Sequence, residues 1–266
     1  MERRTFISGS LGVSALSLAG SGKVAGQMGS AAAEYYDLRR YQLTNGPGTK
    51  LTDNYFADAL IPALNRMGIG PVGAFSIYFG PETPAYYLLM PSTKLETLVT
   101  ADLALAQDAQ FVKTGAAFWD APAGSPPFTG MESSLLRAFT GYPKVTPPAS
   151  AATKGKRIYQ LRQYQSPTNA YHVRKVEMFH AGEFAIFEKA GAHAVFYADA
   201  LIGPRLPNLT YMLSFPDMAA LEASWEKFGA DPEWKKLSND PKYKFDPPTV
   251  SNITSLVLRP LAYSQI

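Results

Sequence analysis

The sequence predicts an α+β chain built from two tandem copies of one β-α-β-β-α-β unit that close on each other as an intrachain, pseudo-dimeric α/β barrel. Three observations carry this. A short strand pattern occurs twice, as "YYDLRRYQ" at 35–42 and "RIYQLRQYQ" at 157–165. Sliding the chain by 123 positions then keeps register without a gap, pairing Tyr36 with Tyr159, Arg39 with Arg162, Tyr41 with Tyr164, Phe56 with Phe179, Gly68 with Gly191, Gly80-Pro81 with Gly203-Pro204 and Asp108 with Asp231. Glycines and prolines recurring where turns need them are the signature of a structural repeat. Finally, "MESSLLRAF" (131–139) matches "ITSLVLRPL" (253–261) at a shift of 122.

Each copy gives the same order of elements. A first strand (35–42; 157–165) precedes a helix (51–67; 169–190) that ends at Gly68 or Gly191, the residue type that tolerates a left-handed stop. Two extended runs follow, "VGAFSIYF" with "AYYLLM" and "HAVFYADALI" with "LTYMLSF", each pair bracketing a Gly-Pro turn and reading as a hairpin. A second helix (92–114; 216–228, with a short continuation from 231) leads to a closing strand. This is the ferredoxin-like unit. Its four-stranded sheet covers one face with helices and leaves the other bare, and two copies in one chain can bury those bare faces against each other. The expected division is a leader at 1–33, a first domain at 34–141, a linker at 142–156 rich in Pro, Ala, Thr and Lys, and a second domain at 157–266. The stretch "DAPAGSPPFTG" (120–130) reads as a long loop inside the first copy.

Residues 1–33 stand apart from the fold. Arg3-Arg4, then Phe6-Ile7, a mildly apolar Gly- and Ser-rich stretch, Lys23 and Ala31-Ala32-Ala33 resemble a bacterial twin-arginine export signal, cleaved after Ala33. No later run approaches the ~20 apolar residues of a membrane helix. The mature chain is therefore expected in the periplasm or outside the cell, delivered by the twin-arginine machinery and without a membrane anchor. A net charge of +3, with both signs scattered, gives no electrostatic footprint for nucleic acid. Cysteine is absent, which removes disulfides, thiolate chemistry and cysteine metal sites.

The strand pattern, the Gly-terminated helix, the Gly-Pro hairpin and "FPDMAALEASWEKFGADPEW" (215–234) resemble the NIPSNAP family of the dimeric α/β barrel superfamily, over nearly all of residues 35–262. The second copy is the closer match, since Ser92 and Asp102 stand in the first where Phe215 and Trp225 stand in the second. The resemblance implies the fold. It leaves the reaction open, because relatives of the barrel include cofactor-free monooxygenases, haem-handling enzymes and stress-response proteins.

Alternation on the first strands puts Asp37, Arg39 and Tyr41 on one face and Tyr36, Leu38 and Arg40 on the other. Arg39 with Tyr41, and Arg162 with Tyr164, are candidate ligand-binding residues of a polar, anion-tolerant site between the sheets; alternatively the Arg stacks on the Tyr and pairs with an acid such as Asp37 to hold the barrel together. On the helix from 169, helical spacing puts His180 in the middle of a stripe with Val173, Val176, Phe184 and Phe187, flanked by Glu177 and Glu183. His180 and Glu183 are therefore candidate catalytic residues, as a general-base pair or, by resemblance to haem-binding relatives, with His180 as iron ligand; the alternative is a satisfied core histidine. His172 and His193 read as surface or turn residues. No second histidine stands at i+4 for a metal pair, and neither a G-x-S-x-G nor a phosphate loop is present. Trp225, Phe228, Trp234, Tyr243 and Phe245 either line an apolar groove or anchor helix packing. Two functions are compatible with these residues. One is a module without a cofactor that binds a small apolar or amphipathic molecule or a protein partner, as a monomeric pseudo-dimer or a homodimer. The other is a cofactor-free monooxygenase or haem-dependent oxidoreductase.

Overall fold

The computed structural model describes residues 32–266 except Glu82 and Pro247. The expected leader at 1–33 falls almost wholly outside the described residues. The described part is one compact unit.

The first half runs β1 (Tyr35–Leu43), α1 (Pro47–Asn54), a π-helical turn (Tyr55–Leu60), α2 (Ile61–Arg66), β2 (Gly73–Phe79), β3 (Ala85–Ser92), α3 (Leu95–Val99), α4 (Ala101–Leu105), α5 (Ala109–Trp119) and β4 (Phe128–Ala138). After α6 (Ala149–Ala152), the second half repeats this with β5 (Ile158–Gln165), α7 (Asn169–Met178), a π-helical turn (Phe179–Glu183), α8 (Phe184–Lys189), β6 (His193–Ile202), β7 (Asn208–Phe215), α9 (Met218–Ala230), α10 (Pro232–Ser238) and β8 (Asn252–Pro260). The strands form a closed antiparallel barrel in the order β1-β3-β2-β8-β5-β7-β6-β4. Each half supplies four neighbouring strands in the ferredoxin-like order, and the halves meet at two seams, β2 with β8 and β4 with β6. The predicted α+β pseudo-dimeric barrel is what the chain forms. Closure pairs every strand on both sides, which removes the exposed edges that invite further strand pairing.

The residues that recur at a shift of 123 do the same local work in both halves. Gly68 and Gly191 adopt φ of 76° and 89°. Around them the backbone closes identical helix stops, Ile69 N to Leu64 O with Gly68 N to Asn65 O, and Ala192 N to Phe187 O with Gly191 N to Glu188 O. Asp108 caps α5 by accepting from Gln110 N and Phe111 N, and Asp231 caps α10 by accepting from Glu233 N and Trp234 N. Each cap is also held by a cation from the end of an earlier helix, Arg66 of α2 for Asp108 and Lys189 of α8 for Asp231.

Three apolar layers result. Phe56, Leu60, Tyr86, Leu88 and Phe111 lie between the first half-sheet and its helices, and Phe179, Phe187, Tyr211, Leu213 and Phe228 between the second half-sheet and its own. The barrel interior is the third layer, and both halves contribute to it: Tyr36 packs on Phe196 and Phe75 on Tyr159, with Leu136, Val145 and Ile266 alongside. At ~25 cal/mol per Å² of apolar surface buried, these aromatics and the aliphatic residues around them favour closure.

Two segments differ from expectation. The stretch 142–156 is tied to the barrel end by Glu34 N to Pro143 O, Val145 N to the Glu34 carboxylate, Tyr142 OH to Ala194 O and Thr146 N to Val195 O. Val145 is an apolar anchor inside the interior, so the proline-rich run is a docked strap rather than a slack linker. The expected loop at 120–130 ends early because Phe128, packed on Tyr41 and Phe118, already belongs to β4.

Candidate functional site

The interior is filled at the Tyr36/Tyr159 end and open at the hairpin end. The opening is a cavity of about 320 Å³ between the two half-sheets. The apolar part of its wall comes from both halves: Leu38 of β1, Tyr87 of β3, Leu161 of β5 and Leu256 of β8, with Ser134 of β4 alongside. Arg40, Glu132, Gln163, Thr210 and Thr254 supply polar groups, and the hairpin residues Pro81, Pro204 and Arg205 form the lip. Arg40 hydrogen-bonds the Gln42 side chain at 2.6 Å and lies 3.5 Å from Glu132 across the β1–β4 ladder. Arg205 donates to the Thr254 hydroxyl at 2.8 Å. It does so from a left-handed backbone (φ 61°), with its carbonyl accepting from the Asn208 and Gln165 side chains. Such a conformation costs a non-glycine residue of order 1 kcal/mol, and here two side-chain amides hold it.

The arginine and tyrosine candidates lie elsewhere. Arg39, Tyr41, Arg162 and Tyr164 face the helices, and the inward face carries Tyr36, Leu38 and Arg40 with Tyr159, Leu161 and Gln163. The expectation of an Arg-Tyr site between the sheets is thus corrected. Alternation separates two faces but does not say which is inward when both are buried: Tyr36 and Tyr41 are 0% and 4% exposed. The two arginines are nonetheless handled differently. Arg39 donates to Asp37 at 2.8 Å and to Asp102 at 2.9 Å, and Ser133 donates to the other oxygen of Asp37. In the second half those acids are replaced by Gln160 and Trp225. Arg162 lies 4.3 Å from the Trp225 ring and 5.2 Å from that of Tyr164, and its Nε has no partner among the described residues. Burial pushes the pKa of the Tyr211 hydroxyl, which donates to Tyr164 at 2.7 Å, well above its usual value.

His180 and Glu183 do not form a pair. The π-helical turn over 179–183 and the non-helical Gly182 (φ 159°, ψ −16°) break the 100° periodicity on which the stripe was drawn. The buried face becomes Lys175, Met178, Phe179, Glu183, Ile186 and Phe187, while Val173 and His180 are exposed. Glu183 meets Lys175 at 2.7 Å, with both side chains almost fully buried. Desolvation raises the Glu183 pKa, against the opposing pull of Lys175 and Arg162. Lys175 also approaches the Phe179, Tyr164 and Trp234 rings. Sequence reasoning missed this lysine, although Lys175, Met178, Phe179 and Glu183 stand at i, i+3, i+4 and i+8.

Both His180 nitrogens are engaged. Nδ1 is 2.9 Å from Val176 O, which requires it to donate, and Nε2 accepts from Gly141 N at 3.2 Å. Phe139 and Phe184 flank the ring. With its acceptor lone pair taken by a backbone amide, His180 does not fit as an axial ligand to haem, and no step is derived through that group. His172, read as a surface residue, is partly buried and bonds Asp199 at 2.8 Å, and His193 bonds Thr146 O in the strap. Trp225, Phe228 and Trp234 are packing anchors, Phe245 covers Tyr171, and Tyr243 borders an open groove with His180. Among the described residues no group of three or more His, Asp or Glu is placed to hold a metal, and no helix is long and apolar enough to cross a membrane.

Comparison with known proteins agrees with this geometry. No protein of curated function matches the chain in sequence. A protein provisionally assigned as a monooxygenase, from Lactobacillus acidophilus NCFM, aligns over 86% of this chain and 94% of its own at a TM-score of 0.53 and 8% identity. An anthrone oxidase-like protein aligns over 86% and 92% at 0.51 and 10%. At such identities the likeness is one of fold. An uncharacterised NIPSNAP-like domain protein of Burkholderia xenovorans, 18% identical, covers 41% of this chain with 88% of its own at 0.36. The NIPSNAP family model matches residues 159–265, the copy in which the sequence resemblance is stronger. It is the second half of this barrel, from Tyr159 to Gln265, that carries the match to the NIPSNAP family.

Proposed function

We propose that this chain is a binding barrel whose site is the cavity between the two half-sheets, and that its ligand is a small molecule with an apolar body and a polar end. One observation carries the reading: a 320 Å³ space lined by both halves, in which Leu38, Tyr87, Leu161 and Leu256 stand beside the polar side chains of Arg40, Glu132, Gln163 and Arg205. Ligand sites commonly combine a largely apolar pocket of ~300–1,000 Å³ with a few placed polar groups. Leu38, Leu161 and Leu256 would take the apolar body, and the Arg40, Gln163 and Arg205 donors would take the polar end. The oxygenase reading has fold likeness behind it and no residue in the cavity, since His180 and Glu183 lie outside it. The Arg3-Arg4 leader supports work outside the cytoplasm, and replacing both arginines by lysine should keep the chain in the cytoplasmic fraction.

The test is a fluorescence titration with N-phenyl-1-naphthylamine, a neutral apolar probe, on the wild type and on Leu161→Trp and Leu256→Trp, each checked for native circular dichroism. Saturable one-site binding that both variants weaken at least about tenfold is expected, a loss of ~1.4 kcal/mol. Titrations that do not saturate, or that ignore both indoles, would refute an interior site.

A further inference from the structure

We propose that the chain carries a second, independent site, for a phosphate monoester bearing an apolar ring or tail. It is a cavity of about 840 Å³ on the outside of the barrel, away from the hairpin end. Its borders are the turn before β5, the first turn of α9, the end of β8 and Tyr78 of β2.

The chemistry of the lining selects the ligand. Lys154, Lys156, Arg157 and Arg259 face a single carboxylate, Asp217. None of the four cations forms an ion pair with an acidic side chain among the described residues. Lys154 donates to Ser264 O, while buried Arg157 donates to Tyr159 OH, to the carbonyls of Ser150 and Gly155 and to a main-chain oxygen of Ile266, so neither finds an acidic side chain. Asp217 is occupied with Ala220 N as the cap of α9. Lys156 and Arg259 are exposed, and the Arg259 guanidinium lies over the Tyr78 ring, 3.3 Å from its centre. Met218, Ile158 and Leu261 make the remaining wall apolar. A surplus of cations beside an apolar wall suits an amphipathic anion, and a dianionic phosphate satisfies more of these donors than a carboxylate does.

The repeat reproduces only part of this cluster: Arg259 has a counterpart in Arg137 at the shift of 122. At the shift of 123, Ala33 stands for Lys156 and Leu201 for Tyr78. Lys156 of the second half and Tyr78 of the first therefore meet here at positions where the repeat keeps neither residue type.

Two sources can supply such an ester, a soluble molecule or a lipid headgroup. The full chain is titrated by equilibrium dialysis with 2-naphthyl phosphate, 2-naphthol and inorganic phosphate, and floated with vesicles of phosphatidylcholine with and without phosphatidic acid. Saturable binding of 2-naphthyl phosphate is expected, at least tenfold tighter than 2-naphthol or inorganic phosphate and lost in high salt. The Lys156→Gln/Arg259→Gln pair should weaken it at least tenfold, Lys156→Arg should retain it, and Leu161→Trp should leave it unchanged. Vesicle capture that needs phosphatidic acid and fails in the double variant identifies the lipid source, and binding of the soluble ester alone identifies the other. The proposal is overturned if neither form binds, if the double variant binds as the wild type does, or if inorganic phosphate binds as tightly as the ester. Loss of the naphthyl phosphate signal in Leu161→Trp would also overturn it, by moving the ester into the barrel cavity.

Discussion

Replacing Lys175 by Met and Glu183 by Leu, singly and together, tests the packing of the second half. The charges stand 2.7 Å apart between helix and sheet. With an effective dielectric constant of ~20 their attraction is roughly 6 kcal/mol, while desolvation takes back several kcal/mol for each ion. Either single change strands a buried charge and should destabilise by ~3–5 kcal/mol; the double change puts apolar groups in their place and should fall within ~1–2 kcal/mol of wild type. For a chain of this size each kcal/mol moves Tm by ~2–4 °C, so the single variants should melt roughly 6–20 °C lower. Urea denaturation followed by tryptophan fluorescence gives the free energies. Lys175→Met has a further signature, because without the lysine the Glu183 pKa rises beyond its already raised value. A raised folded pKa means stability is retained below the unfolded value of about 4.5 and lost as pH climbs through the folded one, so this variant should suffer less in mild acid than at neutral pH. Two single variants that each lose under ~1 kcal/mol, or a double that loses their sum, would show that the pair is not buried as described.

Other expectations follow from the same packing. Phe179→Ala, at a fully buried ring touching Tyr164, Phe187, Tyr197 and Tyr211, should cost ~3–5 kcal/mol in denaturant unfolding. Arg39→Met should cost ~3–5 kcal/mol by stranding buried Asp37, against ~1–2 kcal/mol for Arg162→Met, which loses ring contacts and an attraction to Glu183 that Lys175 still supplies; equal losses would contradict the asymmetry. Glu34 has a pKa raised by burial, so its carboxylate contributes least at neutral pH. Glu34→Gln should therefore gain on the wild type from about pH 4.5 upward in a series of thermal melts, and a gain confined to acid would reverse that sign.

Positions whose role is local were readable in the sequence. Gly68 with Gly191 and Asp108 with Asp231 recur because a left-handed stop and a cap each depend on one residue and its immediate neighbours. His180 was misplaced because its stripe ran through Val173, which is itself exposed, and because the π turn shifts the helical phase of the residues that follow it. The strand faces were correctly separated and wrongly assigned, since inward and outward sides are equally apolar here. The cavity residues Arg40 and Gln163 therefore went unnoticed on the side thought to lack a site. Arg205 escaped because a hairpin residue acquires its meaning only when the strands on the other side of the mouth are in place.

Both seams of the barrel lie within one polypeptide, and this changes what variation can do. In an assembly of identical subunits each substitution is made twice, at positions related by the axis, so a helpful change on one side is tied to its mirror on the other. Here one change is one event. That freedom is visible where Arg39 keeps its two carboxylates while Arg162 has aromatic neighbours instead. It also makes closure indifferent to dilution: a seam that opens faces its partner at the high effective concentration set by the covalent strap, and should re-form as a first-order process at any protein level.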